Sequence, residues 1–223
     1  IKPISSKKTT GINLREDISP SSSYYMLKDL RTRARNIERK TAVGEEGLDA
    51  LPDWRAILDE GQKVLIKKSK DLEITTWVLE ALVRLEGFDG LIKGFLLIEA
   101  LIDRYWDNLF PLPDEEGYEI RFSPIIGLNG NESEGTLIQP IKEICITDVS
   151  QSQGYALWQY QQSIEFSKIT DPKVIEKKLE QGIIKLEEIT KAAKSAAADF
   201  YPILWGKVAL CLEVFDRFMA KLN

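Results

Sequence analysis

Asp114, Glu115 and Glu116 form the densest run of carboxylates in the chain. Such a run can hold a divalent cation or share a proton in acid–base work. It lies between Pro113 and Gly117, with no second ligand group beside it in sequence. A solvated loop between proline-flanked elements is therefore its expected role. The chain has no histidine. That removes Ser-His-Asp and Cys-His nucleophilic catalysis, and with them the commonest metal ligand. Two separated cysteines, Cys145 and Cys211, cannot make a structural zinc site. Their apolar surroundings favour buried free thiols and a reducing compartment, although a single bridge between them is also open. None of G-x-x-x-x-G-K-[ST], G-x-G-x-x-G or G-x-S-x-G occurs. The residues predict no catalytic group, no metal ligand set and no cofactor.

Binding chemistry has better candidates. Lys28, Arg31, Arg35 and Arg39 follow one stripe of an expected helix, with Arg33 and Lys40 nearby. The stripe is either a surface for an anionic partner or a face whose arginines pair with acids on neighbouring helices; the second is favoured. The tryptophans are Trp54, Trp77, Trp106, Trp158 and Trp205. Trp54 and Trp77 fall on apolar helix faces, as core residues do. Trp106, beside Tyr105 and near Pro111, reads as core first and as an exposed interface anchor second. Arg31, Arg35, Arg39 and Trp106 are thus the candidate partner-binding residues.

Composition narrows the partners. The chain has 223 residues, 43% apolar and 29% charged, with a net charge of −5. This is enough chain for a hydrophobic core without disulfides or metals. A mildly acidic protein makes a poor nucleic-acid binder and a poor ligand for anionic lipid, because both need a basic footprint. The most apolar stretch, 95–102, is interrupted by Glu99 and followed by Asp103 and Arg104, so no direct membrane insertion is expected. Residues 1–10 carry no apolar leader, and the first residue is not Met, so the natural N-terminus is read as trimmed.

The elements that position these residues follow from hydrophobic period. Residues 1–20, broken by Pro3, Gly11 and Pro20, read as an extended arm. A helix is expected over 23–40 from Leu27, Leu30, Ala34 and Ile37, then a loop marked by Gly44 and Gly47 with Glu45 and Glu46 between them. Asp53, after Pro52, is read as the cap of a second helix with Trp54, Ile57, Leu58, Val64 and Leu65 inside; Gly61 could interrupt it. Ser69 or Asp71 caps a third, whose inner face is Ile74, Trp77, Val78, Ala81, Leu82 and Leu85, and Gly87 ends it. A fourth helix over 89–109 is apolar around most of its girth, which marks a central element. Pro111 and Pro113 stop it, and a short helical piece is expected at 123–128. Residues 137–149 read as a short helix followed by a strand-like piece, and 155–166 as a short helix.

Asp171-Pro172 signals a long helix to about residue 198, with Ile175, Leu179, Ile183, Leu186 and Ile189 inward. The last helix carries a near-heptad seam at Leu204, Val208, Cys211, Phe215, Phe218 and Leu222, which either packs on that long helix or pairs with a second copy; internal packing is favoured. The end at Asn223 is read as a cut in a linker. The expected fold is all-α: a multi-helix bundle with a central apolar helix and a long C-terminal helical hairpin. The expected organisation is an arm at 1–20, a helical core at 21–130 and a helical extension at 131–223 packed on the core.

A series of motifs spans most of the first 130 residues. It begins with Gly11-Ile-Asn-Leu-Arg-Glu-Asp17, Ser19-Pro20, Tyr24-Tyr25, Leu27-Lys28-Asp29, Arg31 to Arg35 and Glu38-Arg39. It continues with Asp53-Trp54-Arg55, Ser69-Lys70-Asp71-Leu72, Trp77 and Gly87-Phe88-Asp89-Gly90-Leu91. Tyr105-Trp106-Asp107, Pro111-Leu-Pro-Asp114 and Arg121 close it. The series resembles the ImpA-related N-terminal domain of TssA proteins of bacterial type VI secretion, and the remainder is similar more loosely. The resemblance implies a non-enzymatic cytoplasmic scaffold that helps build the baseplate and contractile tail, contacting baseplate, sheath and tube subunits. It also implies a module joined to a variable ring-forming region, so that this chain by itself is expected to be a monomer or weak dimer. Distal sheath-capping relatives share the domain and are the alternative. Two further readings come from outside the resemblance. One is a metal-dependent hydrolase using carboxylates alone. The other is a nucleic-acid binder using Arg31, Arg35 and Arg39, which the acidic total opposes.

Overall fold

Asn13 accepts the Arg15 N–H and so caps a short 3-10 turn, Leu14–Glu16. The computed structural model of the chain describes residues 1–42, 45, 47–115, 117–130 and 133–222, with only the backbone of Leu222. The loop residues Gly44 and Glu46, the third carboxylate Glu116, the seam side chain of Leu222 and the terminal Asn223 lie outside this description. Among the described residues there are nine α-helices and no strand, only isolated bridges. None of the helices is long and apolar enough to cross a membrane. The chain divides into two compact units, Ile1–Ile138 with Cys211–Asn223, and Gln139–Leu210.

In the first unit, α1 (Ser23–Ala42), α2 (Leu51–Lys67) and α3 (Leu72–Tyr105) bury one cluster around Leu27, Trp54, Ile57, Ile74 and Trp77. Apolar residues three and four apart place one stripe of each helix inward, and its burial drives the packing. Helix α2 starts earlier than its sequence suggests. Pro52 sits in the first turn, where its missing N–H costs nothing, and the residue before the helix is Ala50. Asp53 is therefore not a cap; its carboxylate takes Arg33 instead. The helix runs through Gly61 unbroken. A Cβ there would meet Val78 Cγ2 at 2.5 Å, so glycine lets α2 and α3 approach.

Asp71 caps α3 by accepting the Ile74 N–H. Gly87 (φ 58°, ψ −130°) then breaks α3 into two segments, a conformation that side chains rarely tolerate. A Cβ at Gly90 would fall 2.0 Å from the Leu82 carbonyl oxygen, and one at Gly94 would fall 2.1 Å from Leu79 Cδ1. Those contacts step backward as the chain steps forward. The second segment thus returns along the first, as the expected pair of helices separated by Gly87 requires. Beyond a 3-10 turn (Trp106–Asn108), Phe110 donates to the Lys70 carbonyl and accepts from the Leu72 N–H, tying the exit of α3 to its start. Helix α4 (Glu119–Asn129) follows.

The second unit holds most of α5 (Ile138–Lys142), then α6 (Leu157–Ser167), α7 (Pro172–Glu180), α8 (Leu186–Lys194) and the first half of α9 (Phe200–Leu222). The ambiguous 137–149 segment becomes α5 followed by a bridge between Cys145 and Ala156. The core is small: Tyr155, Ile189 and Ala192, with Ile184 against them. Asp148 ties it together by accepting the Ser150 and Ala197 N–H groups.

The single long helix expected after Asp171 is two helices. Asp171 does cap α7, but Gly182 (φ 80°) ends it. The Ile183 N–H reaches Lys178 O and the Gly182 N–H reaches Leu179 O, the paired bonds of a glycine C-terminal cap. With the helix broken there, the expected long C-terminal hairpin does not form. The α9 seam also differs from expectation. In the first unit Cys211, Val214 and Phe218 are its buried residues, and Phe215 and Phe218 sit on Phe95 of α3, with ring centroids 5.4 and 5.5 Å away. Arg217 closes the contact with a two-pronged pair on Glu99.

Candidate functional site

Arg31, Arg35 and Arg39 stand one turn apart on α1, and their surroundings differ sharply. Arg31 donates Nε and Nη2 to Glu80 of α3 at 3.0 and 2.7 Å. Glu80 is 1% exposed, and Oε1 also accepts the Thr136 hydroxyl at 2.7 Å. A carboxylate this buried requires its cation, so Arg31 holds the fold together. Arg39 is exposed and donates to Asn36. Arg35 is half-buried and makes no hydrogen bond or ion pair among the described residues. Burial, then the neighbouring Arg31 charge, lowers its pKa, while Glu80 opposes the shift. An arginine begins so high that it stays charged at neutral pH.

Arg35 opens onto a groove of about 960 Å³. Tyr24 of α1, Glu73 of α3, Pro111 and the α4 residues Ile120, Pro124 and Ile126 contribute to its walls. One end is a closed polar network. Arg15 donates to Asp71 at 2.6 Å and to Glu73 at 2.5 Å, and the Tyr24 hydroxyl donates to Glu73 at 3.1 Å. Burial, then Glu73, pushes the Tyr24 phenol up to about 12. Arg15 is held above its ordinary pKa, because Asp71 and Glu73 outweigh its desolvation. Asp114, Glu119 and Glu134 bring further acid to the groove.

Trp106 does not line this groove. It is half-buried and stacks on Tyr118 at 5.5 Å, with the Arg121 guanidinium 4.7 Å from its ring. Arg121 is fully buried and donates to the carbonyls of Pro111, Trp106 and Leu109 at 2.9, 2.7 and 2.8 Å. It converts three backbone acceptors of a loop into one fixed turn. Of the carboxylate run, Asp114 exchanges backbone hydrogen bonds with Gly117, and Glu115 is exposed. Among the described residues, no group of three His, Cys, Asp or Glu is placed to hold a metal ion. Both cysteines are free. Cys211 is buried, and burial pushes its thiol up to about 11; Cys145, expected to be buried, is exposed.

Several organising residues were invisible as such in the sequence. Glu38 accepts both the Trp54 indole N–H at 2.7 Å and the Arg84 guanidinium at 2.5 Å, with Arg84 lying 3.9 Å over the Trp54 ring. Lys70 is buried with its ammonium on the Leu65 carbonyl at 2.5 Å. The one available signal was charged residues sitting inside otherwise apolar runs, as Glu80 and Arg84 do.

The first unit is thus an all-helical domain whose inner arginines lock helices and loops together, while Arg35 faces an open groove. Comparison with known proteins places it. Residues 1–130 match the family described as "ImpA, N-terminal, type VI secretion system", and the chain belongs to that family. Over 68 residues it is 40% identical to the type VI secretion system component TssA1 of Pseudomonas aeruginosa, a match spanning 29% of this chain and 19% of that protein. It is also similar to a solved N-terminal domain, including the conserved ImpA_N region, of the TssA component of the type VI secretion system from Burkholderia cenocepacia. That likeness has a TM-score of 0.80 at 22% identity and covers 99% of this chain and 79% of the other, which shows a shared fold. The chain is a TssA-like type VI secretion component built on this fold.

Proposed function

We propose that the chain is a non-enzymatic docking module through which a TssA-like protein engages baseplate, sheath and tube subunits in the bacterial cytoplasm. The observation that carries this reading is an accessible groove with mixed apolar and charged walls, into which faces a half-buried Arg35 that has no ion-pair partner among the described residues. Such a surface suits a protein segment. Of the candidate arginines, Arg35 and Arg39 turn their charge outward; Arg31 and Trp106 support the surface from within. The distal sheath-capping alternative uses the same domain and differs in which subunit is held.

Capture by the immobilised chain of purified baseplate, sheath and tube subunits tests the reading. Retention of at least one is expected, and retention of none contradicts it. Calorimetry with Mg²⁺ and Mn²⁺ separates the hydrolase reading. No saturable heat is expected, whereas tight binding at the Asp114 and Glu115 loop would favour an enzyme.

A further inference from the structure

Among the described residues, the arginine near the centre of α1, Arg35, has no hydrogen-bond or ion-pair partner of its own. Its guanidinium carries five N–H donors, and none is used among the described residues. The carboxylate whose charge acts on it, Glu80, already accepts both prongs of Arg31 and the Thr136 hydroxyl. The other charges that act on Arg35 are arginines: Arg31, Arg84 and Arg39. Half-buried donors that lack a partner are costly in the free protein, so an incoming acceptor gains more here than at an open surface. Opposite stand apolar side chains that the fold leaves uncovered, with Ile126 at 50% and Ile120 at 39% exposure.

From this juxtaposition we propose that the groove binds a partner segment bearing an Asp or Glu side chain beside apolar residues. The carboxylate meets the Arg35 fork, and the apolar residues lie on Ile120, Pro124 and Ile126. This deepens the docking reading and rests on it. A carboxylate fits better than a phosphate. Asp114, Glu119 and Glu134 also border the groove, and their charge repels a dianion or a polyanion more than a single carboxylate. The net charge of −5 acts in the same direction against nucleic acid. Two-pronged recognition of a planar carboxylate is what a guanidinium supplies and an ammonium does not.

A display of short random peptides, probed with the whole chain and with Arg35→Gln, Arg35→Lys, Arg39→Gln and Ile126→Glu, tests the proposal. Peptides retained by the wild type should share an Asp or Glu next to Leu, Ile, Val or Phe. Arg35→Gln should weaken their binding by about tenfold or more, the low end for a hydrogen bond to a charged group. Arg35→Lys should recover part of that loss, and Arg39→Gln should change little. Ile126→Glu, at an exposed position that leaves the fold intact, should weaken binding from the opposite wall. The proposal is overturned if retained peptides show no acidic preference, if Arg35→Gln binds like the wild type, or if phosphopeptides or oligonucleotides bind better than acidic peptides. Retention of no peptide overturns it as well. None of these outcomes touches the capture of whole subunits, so the broader docking reading stands or falls separately.

Discussion

At the scale of single residues, identical side chains on one helix do different work because of what faces them. Arg31→Ala would strand the buried Glu80 carboxylate and should destabilise the chain by about 3 kcal/mol or more, whereas exposed Arg39→Ala should stay within about 0.5 kcal/mol. Denaturant titration of both variants compares them directly. Trp77, 4% exposed beneath Tyr24, should cost about 3–5 kcal/mol on truncation to Ala, read as a fall in melting temperature. Glu99 predicts a pH effect. Its hydrogen bond from Arg217, reinforced by Lys221 against desolvation, lowers its pKa to about 2. A depressed folded pKa means stability that is present above the unfolded value, about 4.3, and lost as pH falls towards 2. Glu99→Gln should therefore flatten the stability–pH curve in that window. The roles of Trp54 and Trp77 were legible in sequence because an apolar stripe at helical spacing identifies its own neighbours. Those of Glu80, Arg84 and Arg121 were not, because their partners are carboxylates and carbonyls brought close only by the fold.

Elements are set as much by glycine as by apolar period. At Gly90 a methyl group would meet the Leu82 carbonyl, a backbone atom that cannot swing aside. Gly90→Ala should destabilise by about 1–3 kcal/mol. At Gly206, inside α9, an added Cβ meets nothing within 4 Å, so Gly206→Ala should stabilise by about 1 kcal/mol. Opposite signs from one chemical change, measured by thermal melting, would confirm that position decides the outcome. The same residue type explains what sequence reading got right and wrong here. Gly87, flanked by two apolar runs, correctly marked the reversal within α3. Gly182 lay inside a run of favourable period, and the run outweighed it; its cap geometry ends α7 all the same. The groove was not legible, since α1 and α4 are separated by most of the domain and α4 was visible only as a short piece.

For the whole molecule, the family match covers the same 130 residues that carried the motif resemblance, and the wider fold similarity takes in the rest. The matched stretch covers only 19% of the length of TssA1, so larger assemblies belong to the proposal. Sedimentation at micromolar concentration should show a monomer or weak dimer; a ring or tight dimer would contradict a modular role. The most direct measurement of the central claim is calorimetric titration of the chain against each purified baseplate, sheath and tube subunit. Saturable binding to at least one, weakened by added salt because charged side chains take part, is the predicted result. Absence of binding to every subunit, with the chain folded and its melting transition intact, would contradict it.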